Sequence, residues 1–188
     1  MSFETGEPRT LSELSQTLTR LVTEGTAFLV SLPDTSFFAP QGQAWSPAEH
    51  VRHLQKSSAP LVLALKLPQF LLRLRFGGHE GPSRSFATMR EVYLANLATG
   101  AGAGRFTPET ERPPANPADR RREIMNSWTA VTVDLTGALT AWSEPALDRH
   151  QLPHPILGKL AVREMLCFTV YHTAHHLRRV RERALSGA

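Results

Sequence analysis

The sequence predicts an all-α protein, an antiparallel four-helix bundle with a long connection between its second and third long helices. Apolar residues recur at steps of three and four along several long segments, which is the pattern of amphipathic helices. No stretch alternates between apolar and polar residues for long enough to build a sheet. The chain has 188 residues, of which 41% are hydrophobic and 20% charged. This composition predicts one globular domain over residues 1–188.

The first long helix is predicted over residues 11–32, where mostly leucine residues form a continuous apolar stripe. Thr10 and Glu13 have the spacing of a capping box, in which each residue satisfies a backbone N–H of the other. Pro33 ends the helix, because proline cannot continue the helical hydrogen-bond pattern.

The second long helix begins with Ser46 as its N-cap and Pro47 at its first helical position. Glu49 lies three residues after the serine, so a capping box is also predicted here. Pro60 and Pro68 each remove an internal hydrogen bond. We therefore expect this helix to kink or to restart.

The long connection is predicted from Gly77 to Pro117, where glycine and proline are frequent, with a short helix over residues 86–97. Asn116 and Pro117 then begin the third long helix as N-cap and first helical residue. Its apolar stripe continues as far as Trp142.

The last part of the chain is predicted to be a loop over residues 145–158 and a fourth long helix over about 160–184. Ala161 and Met165 belong to one face of this helix. His172 and His176 continue the same face toward its C-terminal end. The candidate functional residues therefore lie on a helix face that is expected to point inward.

The net charge of +4 raises the question of a nucleic-acid partner. Most of the basic residues are arginines, and they are scattered along the chain apart from two clusters at 120–122 and 178–183. Neither cluster is interleaved with the aromatic residues that a single-strand binding platform uses. We therefore expect solvated helix faces and no nucleic-acid partner.

The sequence also indicates the compartment. Residues 1–9 lack the apolar core of a secretory signal, and the longest apolar stretch, residues 61–72, is too short to span a bilayer. Cys167 is the only cysteine, so no intrachain disulfide can form, and its apolar neighbours indicate a buried side chain. We expect a cytoplasmic protein with no membrane partner.

Residues 61–72 carry more apolar surface than one helix stripe requires. Two interpretations are open. The stretch either packs against the core of its own chain or joins two copies in a homodimer.

His172 and His176 are four residues apart on a predicted helix, so their imidazoles project side by side and can share one metal ion. A zinc metalloprotease also needs a glutamate directly after the first histidine, and Thr173 occupies that position. Histidines on an apolar helix face are also common as hydrogen-bonded core residues. His175 is rotated by about 100° from His176, which points it toward solvent or a partner.

A third ligand has to come from another helix, and the second helix offers His50 and His53. They lie one turn apart, so that only one should point fully inward. His53 is preferred because it lies a full turn beyond the cap, whereas His50 belongs to the first turn and is expected to be partly exposed. His79, His150 and His154 lie in predicted loops, and no catalytic role is expected for them.

Three local stretches resemble a known family: Trp45-Ser46-Pro47 leading into His50-Val51-Arg52-His53-Leu54; His154-Pro155-Ile156-Leu157-Gly158-Lys159-Leu160; and Glu164 to Phe168 followed by His172-Thr173-Ala174-His175-His176-Leu177-Arg178. They resemble the DinB-like (DNA-damage-inducible) metalloprotein superfamily, in particular its larger DinB-like subgroup. The resemblance implies a metal site formed by His53, His172 and His176. Relatives commonly carry a glutamine where this chain has Arg179.

Three neutral imidazoles leave coordination positions open, which is typical of a catalytic site. Histidine ligation suits zinc, nickel or iron(II). The resemblance implies a transferase that uses a low-molecular-weight thiol, such as bacillithiol or mycothiol, on an electrophilic small molecule.

Two alternatives remain open. One is a metal-dependent hydrolase, for which only Glu49 or Glu164 is near enough in sequence to the histidines to act as base. The other is a non-catalytic stress-response or binding module in which the metal is incidental.

Overall fold

The computed structural model describes residues 2–40, 42 and 44–186. The elements are α1 (Leu11–Ser31), α2 (Asp34–Phe38), α3 (Pro47–Leu65), α4 (Gln69–Phe76), α5 (Phe86–Ala98), α6 (Pro117–Leu139), α7 (Glu144–Arg149), β1 (Gln151–His154), β2 (Gly158–Ala161) and α8 (Val162–Ser186). The four long helices α1, α3, α6 and α8 form a bundle. The predicted all-α fold is confirmed, and the only addition to it within the described residues is a small hairpin of β1 and β2.

Both predicted capping boxes are present. At the start of α1, Thr10 Oγ1 accepts a hydrogen bond from the Glu13 amide while the Glu13 carboxylate accepts from the Thr10 amide. Ser46 and Glu49 form the same pair at the start of α3. The chain accommodates Pro60 inside α3 and restarts as α4 directly after Pro68.

Contacts between residues near the helix ends give the direction of each long helix. His50 lies against His176 and His53 against His172, so α3 and α8 run antiparallel. At the end of α3, the Trp142 indole, just beyond α6, donates to the Leu65 carbonyl. The helices α3 and α6 therefore lie side by side in the same direction.

The helix α1 runs antiparallel to α6 and parallel to α8. Arg121, near the start of α6, donates to the carbonyls of Val30 and Leu32 at the end of α1. Arg163, in the first turn of α8, donates to the carbonyl of Arg9 just before α1. The long connection makes this arrangement possible, because it returns the chain from the end of α3 to its beginning before α6 starts.

Gly25 allows a close approach of helices in the core. A Cβ atom on this residue would lie 2.9 Å from Leu177 and 3.0 Å from the Trp128 ring, both of which are buried. A side chain there would have to push α1 away from α6 and α8. Gly25, which lies within the predicted apolar stripe, therefore serves the close packing of α1 against α6 and α8.

Residues 145–158 were expected to be a loop, which is wrong, whereas the fourth helix, expected from about Leu160, begins two residues later at Val162. Most of α7 and all of β1 lie within that range, and β2 pairs antiparallel with β1 so that His154 lies opposite Gly158. Strands of four residues are at the lower limit for showing alternation. The helix α8 can begin only at Val162, where β2 ends.

None of the helices in the described part of the chain has both the length and the apolar character of a bilayer-spanning segment. Cys167 is buried among core residues, as expected.

Candidate metal centre

The antiparallel helices α3 and α8 bring His53, His172 and His176 together. The Nε2 atom of His172 lies 3.0 Å from that of His53 and 3.0 Å from that of His176. One ligand atom from each residue lies within 4.8 Å of the others, and all three side chains are buried. These are the three residues that the sequence analysis selected as metal ligands.

The spacing of the nitrogens fits one ion. Metal–nitrogen bonds of about 2.1 Å that span a 3.0 Å separation would meet at an angle of about 90°. The ligand atoms of His53 and His176 lie within 4.8 Å of each other. Three imidazole ligands would leave at least one coordination position open to an exogenous ligand.

Hydrogen bonding among the imidazoles themselves explains this arrangement less well. One Nε2 atom offers either one proton or one lone pair. His172 Nε2 therefore cannot fully satisfy both His53 and His176. His53 Nδ1 donates to the Phe106 carbonyl at 2.9 Å, so in the neutral ring Nε2 carries a lone pair. Three lone pairs around a cation would satisfy all three rings at once, and the residues present fit a divalent ion.

Burial keeps the three rings neutral, which metal binding requires. Loss of solvent lowers the pKa of His172 and of His176 well below the ordinary histidine value, and the neighbouring histidines lower it further. Burial also lowers the pKa of His53, and its hydrogen bond to Phe106 only partly opposes this effect.

His50 was expected to be partly exposed, and this is wrong: its side chain is 6% exposed. Its Nδ1 atom lies 2.7 Å from His176 Nδ1. When His176 Nε2 faces an ion, its Nδ1 carries the proton and donates it to His50. His50 therefore points inward as well as His53, and it fixes the orientation of the candidate ligand His176.

Trp45 covers the cluster from the side where α3 begins. Its ring centroid is 4.9 Å from that of His53, and its plane stacks on His176 at 6.0 Å. Trp45 belongs to one of the three stretches that resemble the family, but the sequence predicts no role for it. Its position directly before the N-cap serine of a capping box carried no signal of this contact.

The segment 104–111, which we call the strap, lies across the first turns of α3. Phe106 accepts from His53, and Lys56 Nζ donates to the Thr107 carbonyl. Glu111 accepts hydrogen bonds from both Arg52 and Arg120, and its amide donates to Glu49. The long connection thus supplies a hydrogen-bond partner to a candidate ligand.

A cavity of about 560 Å³ lies beside the three histidines, and all three line it. Its walls are largely apolar and include Leu61, Ala64, Phe76, Leu97, Leu152 and Phe168. Arg105 and Arg179, both exposed, stand at its rim. Among the described residues, no aspartate or glutamate lines this cavity.

The two glutamates considered as general bases have structural roles. Glu49 caps α3 and accepts from the Glu111 amide. Glu164 accepts from the Arg84 guanidinium and from the amides of Arg84 and Ala161. Burial would raise the pKa of Glu164, but these hydrogen bonds lower it below its ordinary value, so it stays charged.

The remaining histidines lie in different places. His175 was expected to face solvent or a partner, but it lines the cavity and its ring contacts those of Tyr93 and Tyr171. His154 also lines the cavity. His79 and His150 do not line the cavity, and each forms a hydrogen bond to a backbone carbonyl.

Comparison with known proteins places these features in a family. The chain has no significant match among curated proteins. Its structure is similar to that of YfiT from Bacillus subtilis, described as "a probable metal-dependent hydrolase with an unusual four-helix bundle topology". The TM-score is 0.61 at 15% sequence identity, over 92% of this chain and 84% of that chain. The family model of the DinB superfamily matches residues 18–180. This chain therefore belongs to the DinB superfamily.

Proposed function

We propose that this chain is a metal-dependent transferase that joins a low-molecular-weight thiol to an electrophilic small molecule. One observation carries the proposal: three imidazole nitrogens converge at the wall of a largely apolar cavity. A structural metal site has no need of such a cavity, whereas a catalytic site needs space for a substrate beside its open positions.

In this proposal His53, His172 and His176 hold the ion. A zinc, nickel or iron(II) ion there would act as a Lewis acid that favours the thiolate form of a thiol at neutral pH. The strap orients His53 through the Phe106 carbonyl, and His50 orients His176. The apolar wall of the cavity binds the electrophile and keeps bulk water away from it.

The nucleophilic thiol has to come from outside the chain. Burial raises the pKa of Cys167 to about 12, so this residue stays protonated, and it does not line the cavity. With a chlorinated electrophile, the thiol sulfur forms a bond to carbon, the carbon–chlorine bond breaks, chloride leaves, and the thiol proton passes to solvent. Bacillithiol and mycothiol are the thiols that the family resemblance suggests.

Arg105 and Arg179 give the cavity rim a positive charge that suits the carboxylates of such a cofactor. Arg179 replaces the glutamine that is common in relatives, so anion binding at this position would be a property of this chain. A reducing compartment, the cytoplasm, is the setting in which a thiol cofactor stays reduced.

Metal-dependent hydrolysis is the second candidate, and the fold similarity to a protein described as a probable metal-dependent hydrolase favours it. Deprotonation of water commonly uses a general base within hydrogen-bond reach. Glu49 and Glu164 are both held by other partners, and neither lines the cavity. The transferase is therefore the better supported of the two.

Turnover assays separate these functions. Zinc-loaded and nickel-loaded protein is incubated with bacillithiol or mycothiol and either chlorodinitrobenzene or styrene oxide, and in parallel with nitrophenyl acetate alone. We expect thiol conjugation above background that is lost after chelation and in His172→Ala. Ester hydrolysis without conjugation would support the hydrolase instead. Absence of turnover in both assays would support the non-catalytic stress-response or binding module.

We also propose that the chain forms a homodimer through the end of α3 and through α4. Leu61 and Leu72 are buried in the core of their own chain, so part of the apolar stretch has the intrachain role. Leu63, Phe70 and Leu74 are instead 69%, 70% and 82% exposed. Several exposed large apolar side chains on two consecutive helices are typical of an interface.

A further inference from the structure

His154 lies at the end of β1, where the hairpin turns toward β2, and its half-buried ring lines the cavity. The sequence predicts His154 in a loop, without a catalytic role. The hairpin instead holds it in place, because His154 is paired with Gly158 and its own ring closes the turn.

The turn determines which ring nitrogen carries the proton. His154 Nδ1 accepts hydrogen bonds from the amides of Ile156 at 3.3 Å and Leu157 at 3.2 Å. A nitrogen that accepts has a lone pair, so the proton is on Nε2. Burial lowers the pKa of His154 to about 4, which agrees with a neutral ring. No acceptor for this Nε2–H is present within the described residues.

His154 is separated from the metal centre by one aromatic ring. Its ring contacts Phe168 edge to face at 4.4 Å, and Phe168 stacks on His172 at 4.9 Å. A molecule that reaches both the three histidines and His154 therefore has to cross the face or edge of Phe168. The part of the molecule between its two ends would lie on an apolar surface.

The cavity favours a molecule whose second end, the one near His154, is a negatively charged hydrogen-bond acceptor. Arg105 and Arg179 make the rim positive, and no described lining residue is a carboxylate that could pair with an ammonium group. A neutral N–H donor in a largely apolar environment forms a strong hydrogen bond to an anionic oxygen.

We propose that the substrate of this site has two polar ends joined by an apolar body: a reacting group at the three histidines and a carboxylate that accepts a hydrogen bond from His154 Nε2. This inference rests on the proposed function, because the first end requires the metal. It makes His154 a residue that determines substrate specificity.

Binding of simple acids tests the proposal. Isothermal titration calorimetry on zinc-loaded protein compares the dicarboxylates adipate, suberate and sebacate with hexanoate, octanoate and decanoate, the monocarboxylates of the same chain lengths. One carboxylate can bind the metal in every case, and only the dicarboxylates can also reach His154. We expect at least one pair in which His154→Phe reduces the preference for the dicarboxylate by about tenfold.

Two variants control for indirect effects. His154→Gln retains an N–H donor and a group that can accept from the turn, so it should keep most of the preference, and an unchanged monocarboxylate affinity in His154→Phe would show that the turn and the metal end are intact. His79→Phe changes a histidine outside the cavity and should have no effect. Equal preference in wild type and His154→Phe for all three pairs would overturn the proposal.

A second measurement separates this inference from the proposed function. In cobalt-loaded protein, a change of the visible spectrum on addition of octanoate reports binding at the metal. If the protein binds no cobalt, the proposed function fails. If octanoate changes the spectrum but His154→Phe leaves the dicarboxylate preference intact, only the role of His154 fails. Long-range proton–nitrogen NMR of the His154 ring should show the Nε2–H tautomer, and an Nδ1–H tautomer would also contradict the proposal.

Discussion

At the level of single residues, His50 Nδ1 lies 2.7 Å from the nitrogen of His176 that faces away from the three-histidine cluster. His50 Nε2 is buried and has no hydrogen-bond partner among the described residues. A chain that keeps an unsatisfied buried group incurs a free-energy cost. The contact of His50 with His176 would offset that cost if it is needed to orient the His176 ring.

We therefore predict that His50→Leu weakens zinc affinity by about tenfold to a hundredfold, because it removes the acceptor for His176 Nδ1–H. His50→Gln, whose amide oxygen can accept the same hydrogen bond, should recover most of the affinity. Competition with a chromophoric chelator measures both variants. Equal affinities of the leucine and glutamine variants would mean that only the volume of the His50 side chain matters.

Sequence reasoning at this scale had a clear limit. The four-residue spacing of His172 and His176 is a local signal that holds on any helix. The burial of His50, the cover formed by Trp45 and the tautomer of His154 depend on how distant elements pack. No local pattern carries that information.

At the level of elements, the strap is the part of the long connection that contacts the candidate ligand His53. Its anchor is Glu111, which is 8% exposed and binds two arginines. Burial tends to raise the pKa of Glu111, but Arg120 and Arg52 lower it below the ordinary value for glutamate. The charged carboxylate therefore stabilises the docked strap.

Replacement of this anchor should release the strap. We predict that Glu111→Gln lowers the free energy of unfolding by about 1–3 kcal/mol, since it weakens charged hydrogen bonds in a buried place. Hydrogen exchange of residues 104–111 should become faster. Glu109→Gln is the matched control, because Glu109 belongs to the same segment and its side chain is 86% exposed. Equal exchange rates in both variants would show that Glu111 is not the anchor.

The same anchor predicts a pH dependence. Because the pKa of Glu111 is lower in the folded protein than in the unfolded chain, its stabilisation is complete above the unfolded pKa and is lost as the pH falls through the folded pKa. Urea unfolding followed from neutral to acidic pH should show wild type losing more stability than Glu111→Gln. Parallel curves for the two proteins would contradict this prediction.

Local sequence signals were sufficient to predict most of the secondary-structure elements. Capping residues and prolines predicted the starts of α1, α3 and α6 and the restart at α4. The hairpin of β1 and β2 was missed because each strand has only four residues, or two periods of alternation, which is the lower limit for recognising a strand. The strap has no regular structure beyond the 3₁₀ turn Gly104–Phe106, and only tertiary hydrogen bonds fix its position.

At the level of the whole molecule, the long connection determines the topology. It follows α4, contains α5 and the strap, and returns the chain so that α6 runs parallel to α3. The sequence indicated that the connection is long. It did not indicate the direction of α6, because an apolar stripe has the same period in either direction.

The exposed apolar side chains of α3 and α4 lead to a prediction for the assembly. Light scattering should give the mass of two chains, and Phe70→Glu together with Leu74→Glu should give the mass of one chain, because a charged group at the centre of an apolar interface opposes association. Val133→Glu, at another exposed apolar position, is the control and should not change the mass. A monomeric wild-type protein would contradict the prediction.

The central claim is that His53, His172 and His176 hold one divalent ion. Elemental analysis of protein purified without a histidine tag tests it most directly. We predict about one equivalent of zinc, nickel or iron per chain in wild type and in His175→Ala, and loss of that metal in His172→Ala while circular dichroism shows a folded helical protein. Metal-free wild type that also fails to bind added zinc, or a His172→Ala variant with unchanged metal content, would contradict the claim.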